Sequence, residues 1–281
     1  MSRIFPFSLR FFLTWISVLA LVTACVTTGP GGKKSFLLIG SGEESSIGAE
    51  MNRQILSESE LLDDSLWQDY INEIGQRIVA VCDRKDIEYH FAVIESEQIN
   101  AFALPGGYLY FYTGLLRLMD NEAQLASVVS HEVSHVVARH GMKRLQSALI
   151  AQIGYEIVLG GSKNSDFVNI ASGIGLTLVF SGYSRSAEKE ADRFGIYYMR
   201  QSGYDPKGAI GMFEHLAAAG ERNPNAFEKL VSSHPQTQER IRLAQSQIAE
   251  MGELGSDLIV NEKRYKQMLS RLPEPNAGDS T

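Results

Sequence analysis

Residues 121–141 read NEAQLASVVSHEVSHVVARHG. Leu125, Val128, Val129, Val133, Val136 and Val137 recur at steps of three and four, the period of one helix face. Asp120 is placed to cap the start of this predicted helix, and Gly141 suits its C-terminal stop. Within it, His131 and His135 stand four positions apart and so lie one turn apart on the same face. Both imidazoles can reach one metal ion. Glu132, beside the first histidine, can reach a water at that ion without ligating it. Two imidazoles and a carboxylate, with a fourth position open, suit Zn²⁺. A lone histidine on a helix is more often a satisfied core residue; the paired spacing with Glu132 argues for the metal.

A metal site of this kind needs a third protein ligand from elsewhere in the chain. Residues 184–192, SRSAEKEAD, carry Glu188 and Asp192 one helical turn apart. Glu188 can ligate the ion. Asp192 can accept a hydrogen bond from the outer nitrogen of a ligand histidine and so set its tautomer. Glu190 points about 200° away from Glu188 around a helix and is the weaker ligand on geometry. The bland alternative is a charged, solvated helix face.

The expected architecture is α+β and mostly helical, with a small β-sheet. Helical periodicity begins near Ile47 and resumes over 64–82, where Leu66, Tyr70, Ile74, Ile78 and Val81 mark one face. Residues 87–96 alternate as a half-buried strand does, and 99–104 and 108–113 flank the turn signal Pro105-Gly106-Gly107. Further helices are expected over about 142–160, 167–181, 185–202, 206–219 and 236–251. The apolar 147–183 region is interrupted by polar residues and reads as a buried helix pair rather than a membrane hairpin, with lipid contact at its tip the alternative. His140 is expected only to complement the helix dipole, and His90 and His215 to be structural.

The chain has 281 residues, 44% of them hydrophobic and 21% charged, which is ordinary globular composition. Its formal charge of −7 argues against general nucleic-acid binding, which needs a basic surface. Arg3 and Arg10 precede an uncharged apolar run over 11–24 that ends in Val22-Thr23-Ala24-Cys25. That run suits a signal-peptide core and is short for a membrane span. The cysteine directly after it resembles a bacterial lipobox, with Cys25 as the lipidated residue; an uncleaved anchor or a plain signal peptide is the competing reading. Val26 rather than Asp after the cysteine implies the outer membrane, facing the periplasm. The expected divisions are a signal peptide over 1–24, a lipidated tether over 25–44, one domain over 45–272 and a frayed tail over 273–281. Cys82 lies in an apolar register and is assigned no chemistry.

HEVSHVVARHG followed by SRSAEKEADRFG resembles metallopeptidase family 48, a group of gluzincins, with the likeness running over about 43–250. The resemblance implies a zincin-like domain with one Zn²⁺ on His131, His135 and Glu188, Glu132 as the catalytic base and Asp192 behind a ligand histidine. It implies that Asn100, Ala101, Phe102 and Ala103 belong to an edge strand that holds an extended substrate peptide. Ser233-His234-Pro235 with Arg240 resembles a family element whose histidine lines the cleft. There His234 would stabilise an oxyanion or occupy the fourth zinc position in a latent state. No transmembrane helices after the lipobox and no C-terminal helical-repeat domain are expected, in contrast to some members. The implied activity is zinc-dependent hydrolysis of misfolded or misassembled envelope proteins, with polypeptides as partners, the membrane reached through lipid, and outer-membrane assembly machinery as a further partner. A chaperone or assembly factor with a latent or structural zinc site is the alternative.

Overall fold

The computed structural model describes residues 25–27, 34–153, 165–222, 234 and 238–275. Residues 1–24, expected as a signal peptide, the middle of the expected apolar hairpin at 154–164, residues 276–281 of the expected tail, and Ser233 and Pro235 lie outside the described residues.

The chain opens with a two-stranded antiparallel ribbon, β1 (Cys25–Thr27) and β2 (Lys34–Phe36). Helices α1 (Ser41–Glu58) and α2 (Ser65–Val79) follow. The first helix thus starts inside the stretch read as tether and ahead of Ile47, because Leu37 and Ile39 are buried and hold its entry against the body. Asp64 caps α2 by accepting from the Trp67 N–H. The sheet comes next: β3 (His90–Ile94), β4 (Ala101–Leu104) and β5 (Tyr108–Tyr112), in the order β3-β5-β4. β3 runs parallel to β5, and β4 antiparallel to it with Phe102 opposite Tyr110. The tight turn before β5 needs its glycines: Gly106 and Gly107 have φ of 77° and 93°, where a Cβ is strained.

Seven helices complete the described chain: α3 (Thr113–Leu116), α4 (Glu122–Val137), α5 (His140–Ile153), α6 (Ser165–Val179), α7 (Arg185–Gln201), α8 (Gly208–Arg222) and α9 (Gln238–Glu250), before a short α10 (Glu262–Leu269). No helix of the described residues is long and apolar enough to cross a membrane.

The sheet is covered on both faces, as its period-two pattern requires. Ala101, Ala103, Leu109 and Phe111 face a core built with Trp67, Ile74, Val129, Val133 and Tyr198. Phe102, Leu104, Tyr110 and Tyr112 face a second core built with Ile47, Met51, Leu145 and Phe167. The outer edge of β3 is closed by Leu61 and Leu62, the latter donating its N–H to the Val93 carbonyl at 2.9 Å. β4 is the opposite edge of the sheet.

Two expected boundaries move. Asn121, not Asp120, caps α4 by accepting from the Gln124 N–H at 3.0 Å, while Asp120 turns its carboxylate to His215 at 2.6 Å. The helix ends before Gly141: Arg139 takes φ 52° and the chain restarts as α5 at His140. Cys82 is buried, as expected from its apolar register.

Candidate metal centre

Helix α4 is buried along its whole length, so both of its ends must be satisfied from outside. At its start the Glu122 carboxylate accepts from the hydroxyls of Tyr70 at 2.8 Å and Tyr204 at 3.0 Å and from the Asn261 amide at 3.0 Å. At its end Arg84 donates to the Val136 carbonyl at 3.0 Å. Between these clamps His131, Glu132 and His135 are 7%, 2% and 2% exposed.

Helix α7 crosses α4 at close range. A Cβ on Gly195 would stand 3.2 Å from the His131 backbone nitrogen, which only glycine avoids. Ser184 caps α7 through the Ala187 N–H. The crossing brings buried Glu188 onto the histidine pair, and His234 joins from the segment before α9. His131 Nε2 and His135 Nε2 lie 3.0 Å apart, His131 Nε2 and His234 Nδ1 3.2 Å, His234 Nδ1 and Glu188 Oε1 3.0 Å, and His135 Nε2 and Glu188 Oε1 3.4 Å. Donors at about 2.0–2.1 Å from a tetrahedral zinc stand about 3.3–3.4 Å from one another; four of the six separations here lie near that value, and all four atoms fall within 4.8 Å of one another, close enough to share one ion. Three imidazole nitrogens and a carboxylate are a borderline donor set that zinc fits, and uncompensated lone pairs at 3.0 Å repel.

The groups around the four donors fix their orientation. His131 Nδ1 stands 2.9 Å from Asp192 Oδ1. Arg240 donates to both Asp192 oxygens, at 2.7 and 2.6 Å, and lies 3.2 Å from Glu188 Oε2. Burial pushes the Glu188 carboxyl up, but His234, His135 and His131 more than offset it and hold it far below the usual carboxylate range. Burial likewise raises Asp192, and the Arg240 guanidinium with His131 brings it below its ordinary value. His135 is driven well down by burial despite Glu188, with His131 and His140 adding to the fall. His234 goes the other way: burial lowers it, but Glu188 and Glu132 outweigh that and raise it.

Glu132 does not join the four donors. One of its oxygens lies 3.6 Å from His234 Nε2, and the other is buried with no hydrogen-bond donor among the described residues. That carboxylate oxygen beside the donor set can receive a proton. Ala101, at the start of β4, shares a cavity of about 30 Å³ with His131, Glu132 and His234. Asn100 is fully buried, and neither amide atom makes a hydrogen bond of good geometry among the described residues. Phe102 points to the second core, while Ala103 lies along α4 near His135.

Several residues at the site were not given their place by the sequence. Tyr183 stacks on His135 with ring centroids 4.1 Å apart, and the Arg144 guanidinium lies 5.2 Å from its ring centre. His140, expected to serve only the helix dipole, contacts both His135 and Glu190. Its distance of five positions from His135 shares no helix face, so spacing carried no signal. Arg240, noted only within its sequence element, clamps Glu188 and Asp192. His90 stacks on Tyr108 and His215 pairs with Asp120, both away from the centre.

The fold and donor set together define a metallopeptidase domain of the HExxH type. The chain belongs to peptidase family M48, whose family model matches residues 65–248. It is 29% identical over 218 residues to the beta-barrel assembly-enhancing protease of Escherichia coli (strain K12), a match covering 75% of this chain and 45% of that protein. It is 32% identical over 224 residues to the mitochondrial metalloendopeptidase OMA1 of Arabidopsis thaliana, covering 78% and 43% respectively. The metalloprotease LoiP of Escherichia coli (strain K12) is 33% identical over 159 residues, covering 54% of this chain and 59% of that one. The matched region thus spans about half the length of these relatives.

Proposed function

We propose that this chain is a zinc-dependent metalloendopeptidase, anchored by lipid on Cys25 in the bacterial cell envelope, that hydrolyses misfolded or misassembled envelope proteins. The observation that carries the reading is the set of four donor atoms from His131, His135, Glu188 and His234, all within 4.8 Å of one another. In this reading His131, His135 and Glu188 hold the ion. When bound, zinc supplies Lewis acidity, which acidifies water and polarises a carbonyl. Glu132 takes the proton from the attacking water and returns it to the leaving amine. Asp192 keeps the His131 proton on Nδ1, leaving Nε2 free to ligate. Arg240 keeps Asp192 ionised for that task.

The substrate reading rests on the edge strand. β4 has one strand neighbour among the described residues, and although its four residues are buried here, its outer side would take an extended peptide as an added strand once uncovered. Asn100 adds a buried amide just before that edge. An envelope location draws on the lipobox-like sequence at Cys25 and on relatives such as the one named for β-barrel assembly.

The position of His234 favours a resting state. Its Nδ1 stands 3.2 Å from His131 Nε2 and 3.0 Å from Glu188 Oε1, in the place a water would need. In the cutting state His234 leaves that place and is positioned to stabilise the oxyanion. The same observation supports the second reading, a chaperone or assembly factor with a latent zinc site. Incubating purified zinc-loaded protein with an unfolded β-barrel substrate, with and without a chelator, separates them on a gel. Chelator-sensitive fragments are the expected result. Intact substrate in both lanes, with the substrate kept from aggregating, supports the chaperone instead.

A further inference from the structure

His140 and Glu190 stand outside the donor set and outside the proposed chemistry, yet both are drawn into the site. His140 is 4% exposed; its Nδ1 lies 3.0 Å from His135 Nδ1, and its Nε2 lies 3.0 Å from Glu190 Oε2. We propose that His140 and Glu190 form a relay that positions His135 for the metal, as Asp192 does for His131. This rests on the zinc reading above, and both residues are positioning residues rather than catalytic ones.

Proton placement follows from the contacts alone. His135 can offer Nε2 to an ion only if its proton sits on Nδ1. That N–H points at His140 Nδ1, which must then be bare and accept. The His140 proton is therefore on Nε2, where it donates to the Glu190 carboxylate. Each tautomer is set by the next partner, and the charge at the end of the relay makes His135 a better donor to the ion.

The backbone independently points the same way. In an unbroken helix positions 135 and 140 would face about 140° apart and could not meet. The helix breaks at Arg139, a non-glycine residue at φ 52° in the left-handed region. Arg139 is held there by Glu44 at 2.9 Å, Ser41 at 2.8 Å and Asp86 at 2.9 Å. The break turns His140 back over His135. Helix α7 then supplies three acids with distinct tasks: Glu188 to the donor set, Asp192 to His131, and Glu190, on another face, to His140.

The test compares the wild-type chain with His140→Ala, His140→Asn and Glu190→Ala. Zinc affinity is measured by competition with a chromophoric chelator, and melting temperature is measured on the metal-free proteins. His140→Ala should weaken zinc binding about 10–100-fold, a loss in free energy larger than the fall in metal-free stability that its emptied buried position brings. His140→Asn puts an amide oxygen where Nδ1 was and should recover part of the loss, and Glu190→Ala should weaken binding less than His140→Ala. In zinc-loaded protein labelled with ¹⁵N-histidine, His135 should carry its proton on Nδ1 and His140 on Nε2. Unchanged affinity in His140→Ala overturns the relay, as does a loss matched by an equal fall in metal-free stability or a His140 proton on Nδ1. A wild-type chain that binds no zinc overturns the metal reading itself, and the relay with it.

Discussion

Glu132 and Glu188 are both 2% exposed, and their surroundings set them different tasks. Glu188 is hemmed in by three histidines and Arg240: Oε1 lies 3.0 Å from His234 Nδ1, and Oε2 lies 3.2 Å from the Arg240 guanidinium, an ion pair without a well-aligned hydrogen bond among the described residues. Glu132 stands outside that cluster, with His234 at 3.6 Å, and its second oxygen has no hydrogen-bond partner among the described residues. Glu132→Gln should therefore leave zinc content and melting temperature as they are and cut casein hydrolysis by about 10²–10⁴-fold, the usual worth of a general base. Full cleavage by that variant would remove Glu132 from the role. Glu188→Ala should instead release the metal on dialysis, read by plasma emission; retained zinc would move the third ligand elsewhere. Both residues were legible in the sequence because their spacing to a neighbour lies within one helical turn. Tyr183 was not, since nothing local marks a tyrosine that will stack on a ligand imidazole.

At the scale of elements the site depends on how close α4 and α7 come. Gly195 permits that approach, with a prospective Cβ 3.2 Å from the His131 nitrogen. Gly195→Val should force the helices apart at a cost of about 1–3 kcal/mol, the usual range for overpacking. Because α7 carries Glu188 and Asp192, zinc affinity should fall along with the melting temperature. A variant that melts lower but binds zinc as the wild type does would show that the crossing has slack. Helix periods and the Pro105-Gly106-Gly107 turn were readable because they are local. The break at Arg139 itself was not: Gly141, which suits a helix stop, lies two residues further on and inside α5. A ring of long-range partners, Ser41, Glu44 and Asp86, holds the arginine in a conformation its own preference disfavours.

Over the whole molecule, charge pairs tie distant segments together and set an acid limit. Burial raises the Asp86 carboxyl, but the Ser41 hydroxyl and the Arg84 and Arg139 guanidiniums outweigh it and leave it below its usual value. Asp64 is shifted the same way, with Arg271 and the Trp67 N–H overcoming burial. A depressed carboxyl stabilises the fold above its unfolded value of about 4, and the gain is lost as pH falls through the folded value. His135 and His140 are lowered chiefly by burial, so the unfolded chain takes up their protons first, below about pH 6.5. His234, raised by Glu188 and Glu132, opposes them by adding stability at the acid side. In metal-free protein the melting temperature should begin to fall below about pH 6.5 and fall steeply below about pH 4. A melting temperature that rises between those values would mean that His234 outweighs the rest.

The sequence by itself determined what depends on near neighbours. That covers the helical and strand periods, the histidine pair with Glu132, the Glu188–Asp192 turn and the apolar run before Cys25. Such features follow from a fixed rise and twist per residue, which act over a few positions. Only the tertiary structure decided that His234 stands with the other three donors and that Arg240 grips both acids of α7. It alone breaks the helix at Arg139 to turn His140 onto His135. Those contacts join residues up to about a hundred positions apart, and the packing of whole helices, which no local rule encodes, brings them within a few ångströms.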